Sequence, residues 1–314
     1  MIRKIEINDF LYKEALNRDY TELQSKILGS KLGNVEDFDL LLNMGLSDIP
    51  DLSSFSGLED GITLMNKHIN NNSHIALVVD YDSDGATSAY VLYDFITNII
   101  GYNKDNISII INSRKNGNGI GDNLLEEIYT LNNNKKINLV ITADHGSANG
   151  VNINKMKNNG IEVIVTDHHM VPVEDNADNA DAFINPQKDV DSPFKYISGC
   201  AVAFFTMVGY YHKYIQGNNE VLHKYLPIVA VSTIGDSMRM DDPINRILVR
   251  TGIYKMNTLE DPMWQAIKYV LDIPVFIDEL TFGFNIVPAF NAASRMDMSN
   301  AVIDFLTAKD YREH

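Results

Sequence analysis

Cysteine occurs once in 314 residues, at Cys200, so no internal disulfide can form and the thiolate-rich zinc sites of small metal-stapled domains are excluded. A reducing compartment such as the cytoplasm is the expectation. With Ala201, Val202 and Phe204 around it, this thiol reads as packing and not as a nucleophile. Long apolar runs are missing as well. The longest, GCAVAFFTMVGYY from Gly199 to Tyr211, is too short to span a bilayer and suits a buried helix. The opening MIRKIEINDF has no continuous apolar core and does not resemble a secretory signal, so no membrane role is expected. Positive charge is scarce: 26 Lys and Arg against 42 Asp and Glu leave a formal net charge of −16. That excludes broad nonspecific attraction to a phosphate backbone, and any polyanionic substrate has to be held locally.

What is present is a series of short apolar runs rich in β-branched residues: IALVV (75–79), ISIII (107–111), NLVITA (138–143), EVIVT (162–166) and DAFIN (181–185). Their length suits strands buried on both faces. Helical patterns lie between them, as in ATSAYVLYDFITNII (86–100) and GDNLLEEIYTLN (121–132). The alternation predicts right-handed βαβ units and a doubly wound, mostly parallel α/β sheet flanked by helices. Residues 1–70 are expected to form a helical lead-in. From about residue 199 the strand signal fades into a helix-rich C-terminal half, where Asp242-Pro243 and Asp261-Pro262 read as an N-cap followed by a first-turn proline. The asparagine clusters at 70–72 and 132–134 read as loops.

Polar residues fall where these strands end. IALVV runs into DYDSDG, NLVITA into Asp144-His145-Gly146, EVIVT into Asp167-His168-His169, and DAFIN into Asn185-Pro186-Gln187. The carboxyl ends of neighbouring parallel strands share one crevice, the usual ligand site of such sheets. Asp82, Asp84, Asp144 and His168 are thereby expected together. Several carboxylates that close cannot all stay ionised without cations, because each raises the pKa of the next. Carboxylates with one or two imidazoles suit Mn²⁺ or Mg²⁺. An Asp-Gly turn would account for DYDSDG alone, but not for its combination with the strand-end Asp144 and the His168-His169 pair. The helix after Gly85 is expected to turn its first amides toward the crevice, a favourable place for phosphate. His145 reads as a crevice lining, His74, His212 and His223 as ordinary packing or surface histidines, and Arg239, Arg246 and Arg250 as surface pairing residues.

The ordered set DYDSDG, TADHG, VTDHH and STIGD resembles the DHH phosphoesterase superfamily, and the surrounding segments resemble its RecJ branch of single-strand-specific 5′ to 3′ DNA exonucleases. NSRKNGNGIG (112–121), SGCAVAFF (198–205), TIGDSMRMDDPINRILVRTGI (233–253) and FGFNIVPAFNAASRM (282–296) are similar to further segments of that branch. The resemblance runs from roughly residue 40 to 310. It implies a catalytic core over 71–310 that binds two divalent cations, Mn²⁺ or else Mg²⁺, and releases 5′ mononucleotides. It implies Asp82, with Asp80 beside it, as ligands of one cation. Asp84, His168 and Asp236 would be ligands of the other, with Asp144 bridging. His169 would be a phosphate contact, Asp167 would orient a histidine, Arg114 would receive the terminal 5′ phosphate, and Asn291 and Arg295 would contact backbone phosphates. Single-stranded DNA is the implied partner, with replication or recombination proteins such as a single-strand-binding protein or helicase.

Two substitutions qualify the resemblance. Ser294 and Ser83 replace residues that are usually glycine and alanine or valine. Residues 297–314 read as the start of a helix linking to a further domain, which RecJ-like enzymes use to close over substrate. Two other functions are weighed against the exonuclease. Oligonucleotide or cyclic-dinucleotide phosphodiesterases and pyrophosphatases of the superfamily usually carry histidine where this chain has Val78, and a noncatalytic scaffold would be expected to have lost ligands.

Overall fold

The five apolar runs are the strands β1 (His74–Val79), β2 (Ile107–Ile111), β3 (Ile137–Ala143), β4 (Glu162–Thr166) and β5 (Ala182–Ile184) of a computed structural model that describes residues 5–117, 119–273, 276–296 and 298–308. All four pairings are parallel, in the order β2-β1-β3-β4-β5. From β1 the chain moves outward to β2, then crosses back over β1 to β3 and continues the other way. The topological switch therefore lies between β1 and β3, where open α/β sheets form their crevice.

Among the described residues, four α-helices precede the sheet: α1 (Asp9–Asn17), α2 (Glu22–Lys31), α3 (Asp37–Leu42) and α4 (Leu58–Asn70). The crossovers carry α5 (Ser83–Asp94), α6 (Asp122–Lys135) and α7 (Gly150–Asn158). After β5 come α8 (Gly199–Tyr210), α9 (Leu226–Gly235), α10 (Pro243–Thr258), α11 (Pro262–Val270), the single turn α12 (Glu279–Thr281), α13 (Val287–Arg295) and α14 (Ser299–Thr307). Among the described residues no strand follows β5, as the fading strand signal predicts.

Alternate residues of each strand feed two cores. Ile75, Leu77, Val79, Leu139 and Ile141 join α4, α5, α8 and α9 on one face, while Ala76, Val78, Val140, Val163 and Val165 join α6 and α7 on the other. Because β1 is buried at every position, its sequence shows no polar alternation. Helix α8 is buried at every position but Val208, with Val202, Phe205 and Met207 at most 2% exposed; each such side chain contributes about 1.5–3 kcal/mol of burial. Of the lead-in, α1 and α3 share a small separate cluster of Leu11, Ala15 and Phe38, whereas α4 packs Leu58, Ile62 and Met65 into the main core.

Local chemistry explains the helix boundaries. Asp242 and Asp261 accept from the amides of Asn245 (3.1 Å) and Met263 (2.9 Å) ahead of Pro243 and Pro262, as predicted. Asn132–Asn134 are not a loop. They form the last turn of α6, which runs to Lys135 because Lys136 adopts φ +54° and donates its N–H to the Asn132 carbonyl at 2.8 Å. Asn71 and Asn72 do lie in a turn, after Asn70 closes α4. Of the expected linking segment, α14 covers Ser299–Thr307, while residue 297 and residues 309–314 lie outside the described residues. No helix among the described residues is long and apolar enough to cross a membrane.

Candidate metal centre

β1 leads directly into Asp80, and the chain then folds back so tightly that a Cβ on Gly85 would stand 2.3 Å from the Asp80 carbonyl oxygen. Only glycine fits there. Asp82 caps α5: its Oδ1 accepts from the amides of Asp84 (2.9 Å) and Gly85 (3.0 Å). The helix thus starts at Ser83, three residues earlier than the sequence pattern implied, and its first amides are already taken, those of Asp84 and Gly85 by the Asp82 carboxylate and that of Ala86 by the Asp82 carbonyl. Asp84, fully enclosed, is gripped from the α8 side. Gly199 N–H donates to its Oδ2 (2.7 Å), Cys200 N–H to its Oδ1 (2.8 Å), and the Ser232 hydroxyl to the same Oδ1.

At the end of β3, Asp144 is 1% exposed and sits at φ +64°, a left-handed conformation that Asp tolerates better than most residues. Gly199 is what leaves room for it, since a Cβ there would lie 2.5 Å from Asp144 Oδ1. At the end of β4, Asp167 accepts from the amides of Ser147 (2.9 Å), His168 (2.7 Å) and His169 (3.1 Å), and from His169 Nδ1 (2.8 Å). His168 Nδ1 lies 3.0 Å from the Ile197 carbonyl. A carbonyl only accepts, so Nδ1 carries the hydrogen and Nε2 is turned to the carboxylates. It stands 3.1 Å from Asp144 Oδ1, 3.5 Å from Asp236 Oδ2 and 3.7 Å from Asp84 Oδ2. Asp236 itself follows Gly235 as the C-cap of α9.

The electrostatics are those of a site short of positive charge. Burial, then the negative charges of neighbouring aspartates, pushes the carboxyls of Asp144 and Asp236 up, the latter to about 7. Burial also raises Asp84 and Asp80, against the opposing pull of His168 and His145 respectively. Asp167 behaves oppositely. Burial disfavours its charge, but hydrogen bonds from His169 and Ser147 and the His169 charge hold it well below the usual carboxylate range. The same hydrogen bond raises His169 to about 9.

These residues fit divalent cations. Asp80, Asp82 and Asp144 bring ligand atoms within 4.8 Å of one another, as do Asp84, His168 and Asp236, and as do Asp144, His168 and His169. Asp144 Oδ1 and His168 Nε2 are buried without a hydrogen-bond partner, a costly state for polar atoms unless something binds there. Carboxylate oxygens with imidazole nitrogen are the donor set suited to Mn²⁺ or Mg²⁺.

The remaining expected residues lie at varied distances from this cluster. Arg114 is exposed on the turn after β2, its Cζ 5.3 Å from the centre of the Tyr81 ring. Asn291, on α13, bonds the Ser83 hydroxyl and the Gly235 carbonyl, the latter at 3.4 Å, and so ties α5 to the end of α9. Arg295 is exposed at the last residue of α13. His145 is buried with Nε2 2.9 Å from the Val78 carbonyl, and Cys200 is buried with its thiol pushed up chiefly by burial. Two supports were not read from the sequence, Ser232 and Ser198, whose hydroxyls are 2.7 Å apart; Asn185, at the strand end the sequence marked, donates to Ser147 Oγ and the His169 carbonyl. Ser232 had a signal, lying four residues before Asp236 on the same helical face. A groove of about 980 Å³, lined by Phe55, Phe205 and His212 among others, shares no residue with the cluster.

Acidic and imidazole strand ends thus meet at the switch point of a doubly wound sheet. The family model "DHH family, N-terminal domain" matches residues 74–233, and the chain belongs to the DHH family. Within it, the chain is 29% identical over 258 residues to the single-stranded-DNA-specific exonuclease RecJ of Salmonella typhimurium, covering 77% of this chain and 42% of that protein. It is 26% identical over 280 residues to the RecJ of Bacillus subtilis, covering 88% and 33%. The chain thus spans less than half the length of these curated relatives. A crystal structure of exonuclease RecJ bound to manganese matches with a TM-score of 0.71 at 24% identity, over 82% of this chain and 63% of that one. RecJ from Thermus thermophilus in complex with Mn²⁺ matches at 0.68 and 23% identity, over 85% and 37%. These structural likenesses are likenesses of fold.

Proposed function

We propose that the chain is a divalent-cation-dependent phosphodiesterase that shortens single-stranded DNA from its 5′ end and releases 5′ mononucleotides. The observation that carries the reading is the convergence of Asp80, Asp82, Asp84, Asp144, His168 and Asp236 in overlapping metal-competent sets, with Asp144 Oδ1 and His168 Nε2 lacking partners. Similarity to RecJ proteins supports the choice of substrate.

Asp80, Asp82 and Asp144 would hold one cation, and Asp84, His168 and Asp236, with Asp144 shared, a second. Mn²⁺ is the preferred ion, given the imidazole in the set. Bound there, such a pair lowers the pKa of an attacking water and neutralises charge on the phosphoryl oxygens. The protein's own groups do the rest. Ser232 and the α8 amides fix the Asp84 oxygens, and the Ile197 carbonyl fixes the His168 ring. His169, raised to about 9 in the metal-free protein chiefly by its hydrogen bond to Asp167, would offer a cationic N–H to a phosphoryl oxygen. Arg114 would receive the terminal 5′ phosphate, and Asn291 and Arg295 would line the path of the backbone. Water adds to phosphorus as the bond to the 3′ oxygen breaks, so the shortened strand keeps a 5′ phosphate for the next cycle.

The test is incubation with Mn²⁺ and 5′-labelled single-stranded DNA, duplex DNA, a dinucleotide or pyrophosphate, alongside Asp144→Ala. Mononucleotide release confined to single strands is expected. Hydrolysis confined to the dinucleotide or pyrophosphate would favour the other phosphoesterase reading. Activity surviving Asp144→Ala would overturn the metal assignment.

A further inference from the structure

Arg239 reads from sequence as a surface pairing residue, yet its surroundings are more specific than that. Its Cζ lies 4.5 Å from the centre of the Tyr196 ring. Asp241 engages it with both carboxylate oxygens, at 3.0 Å from Nε and 2.8 Å from Nη2. Both backbone segments are pinned by one buried side chain: Asn245 Nδ2 donates to the Tyr196 carbonyl (2.7 Å) and to the Arg239 carbonyl (3.0 Å). The stack is also tied to the metal-competent cluster. Tyr196 precedes Ile197, whose carbonyl receives His168 Nδ1, and Arg239 follows Asp236 by three residues. An aromatic ring and a guanidinium are thereby held together on two segments that each adjoin the cluster.

We propose that Tyr196 and Arg239 form a stacking platform for a nucleobase of single-stranded nucleic acid and give this site its preference for unpaired strands. The proposal rests on the phosphodiester reading above and adds the group that recognises the base. A phosphate contact is the poorer reading of Arg239, because its charge and fork of donors are already engaged by Asp241. A bare surface ion pair does not account for the aromatic partner or for the buried Asn245 anchor. Tyr196 remains 39% exposed, which leaves ring surface for a ligand. A chain of net charge −16 also gains little from long-range attraction to phosphate, so its grip has to come from short-range contacts. Base stacking on aromatic and arginine side chains is such a contact, tolerant of sequence. It selects single strands because bases in a duplex are already stacked on both faces.

The experiment compares an oligothymidylate with an abasic tract of the same length, by steady-state hydrolysis in Mn²⁺ and by fluorescence anisotropy in Ca²⁺. The wild-type chain is expected to favour the base-bearing strand, and Tyr196→Leu to raise its KM and Kd for that strand roughly tenfold with little change in kcat. The preference over the abasic tract should shrink by the same factor. Tyr196→Phe, which keeps the ring, should retain the preference. Arg239→Gln provides a second variant and should lose part of it. Equal wild-type affinity for the two strands, or an undiminished preference in folded Tyr196→Leu and Arg239→Gln, would overturn the platform. Discrimination in anisotropy without hydrolysis of either strand would instead sink the proposed reaction and leave the platform standing.

Discussion

His168 Nε2 stands 3.1 Å from Asp144 Oδ1, and neither atom has a hydrogen-bond partner. Two buried polar atoms turned toward each other in this way are at odds with ordinary interior packing, where such atoms are paired. The contact is understandable as two sides of a cation site, and it sets the first prediction. Asp144→Asn keeps the shape and tolerates φ +64°, but removes a buried charge from among like charges. Hydrolysis should fall by about 10²-fold or more, several kcal/mol of lost transition-state stabilisation. In EDTA at pH 8 the Tm should equal or exceed that of the wild type. A variant markedly less stable than wild type in EDTA would show that Asp144 is a structural residue and not part of a metal cradle.

Metal removal should make stability pH-dependent with a definite sign. Asp236 moves from an ordinary 3.8 up to about 7, and Asp84, Asp144 and Asp80 also move up. A carboxyl raised in the folded state binds its proton more tightly there than in the unfolded chain, so stability falls as pH climbs from about 4 through 7. Cations compete with those protons. The rise in Tm caused by Mn²⁺ should therefore be larger at pH 8 than at pH 5, as differential scanning fluorimetry would record. A shift independent of pH would contradict it.

Gly199→Ala tests the room left for Asp144. The new Cβ would meet Asp144 Oδ1 at 2.5 Å and its Cβ at 2.8 Å, so the carboxylate has to move even though alanine favours the helix. Overpacking should cost about 1–3 kcal/mol. Mn²⁺ affinity by calorimetry should drop by roughly 10–100-fold, the usual effect of disturbing a ligand's support. Unchanged affinity would mean that the Asp144 position is not critical.

Asp167→Asn should release His169. In the metal-free protein the His169 ring titrates near 9 because of its bond to Asp167, and the variant should return toward 6.5 when followed by NMR. The linkage has a sign here too. A histidine raised in the folded state adds stability that is complete below about 6.5 and is lost as pH rises through 9. The wild type should show that loss in alkaline unfolding curves, and the variant should not. A variant ring still titrating near 9 would place the cause elsewhere.

The strands and the doubly wound class were legible in the sequence because burial on both faces forces continuous β-branched runs. ISIII and EVIVT match β2 and β4 to the residue. The strand-end positions of Asp80, Asp144 and His168 were legible for a related reason, since a parallel sheet collects its carboxyl ends on one edge. Asn132–Asn134 misled because asparagine is a turn former only where the backbone lets it be, and the residue that actually turns is Lys136. Nothing local in DYDSDG says that Asp82 spends one oxygen capping α5, or that Ser232, 148 residues away, donates to Asp84. The sequence by itself determined which chemical groups reach the crevice. Which oxygen is capped, which nitrogen of His168 is left facing the carboxylates, and that Tyr196 and Arg239 meet over Asn245 were decided only by tertiary packing, because those contacts join segments that only the fold brings together.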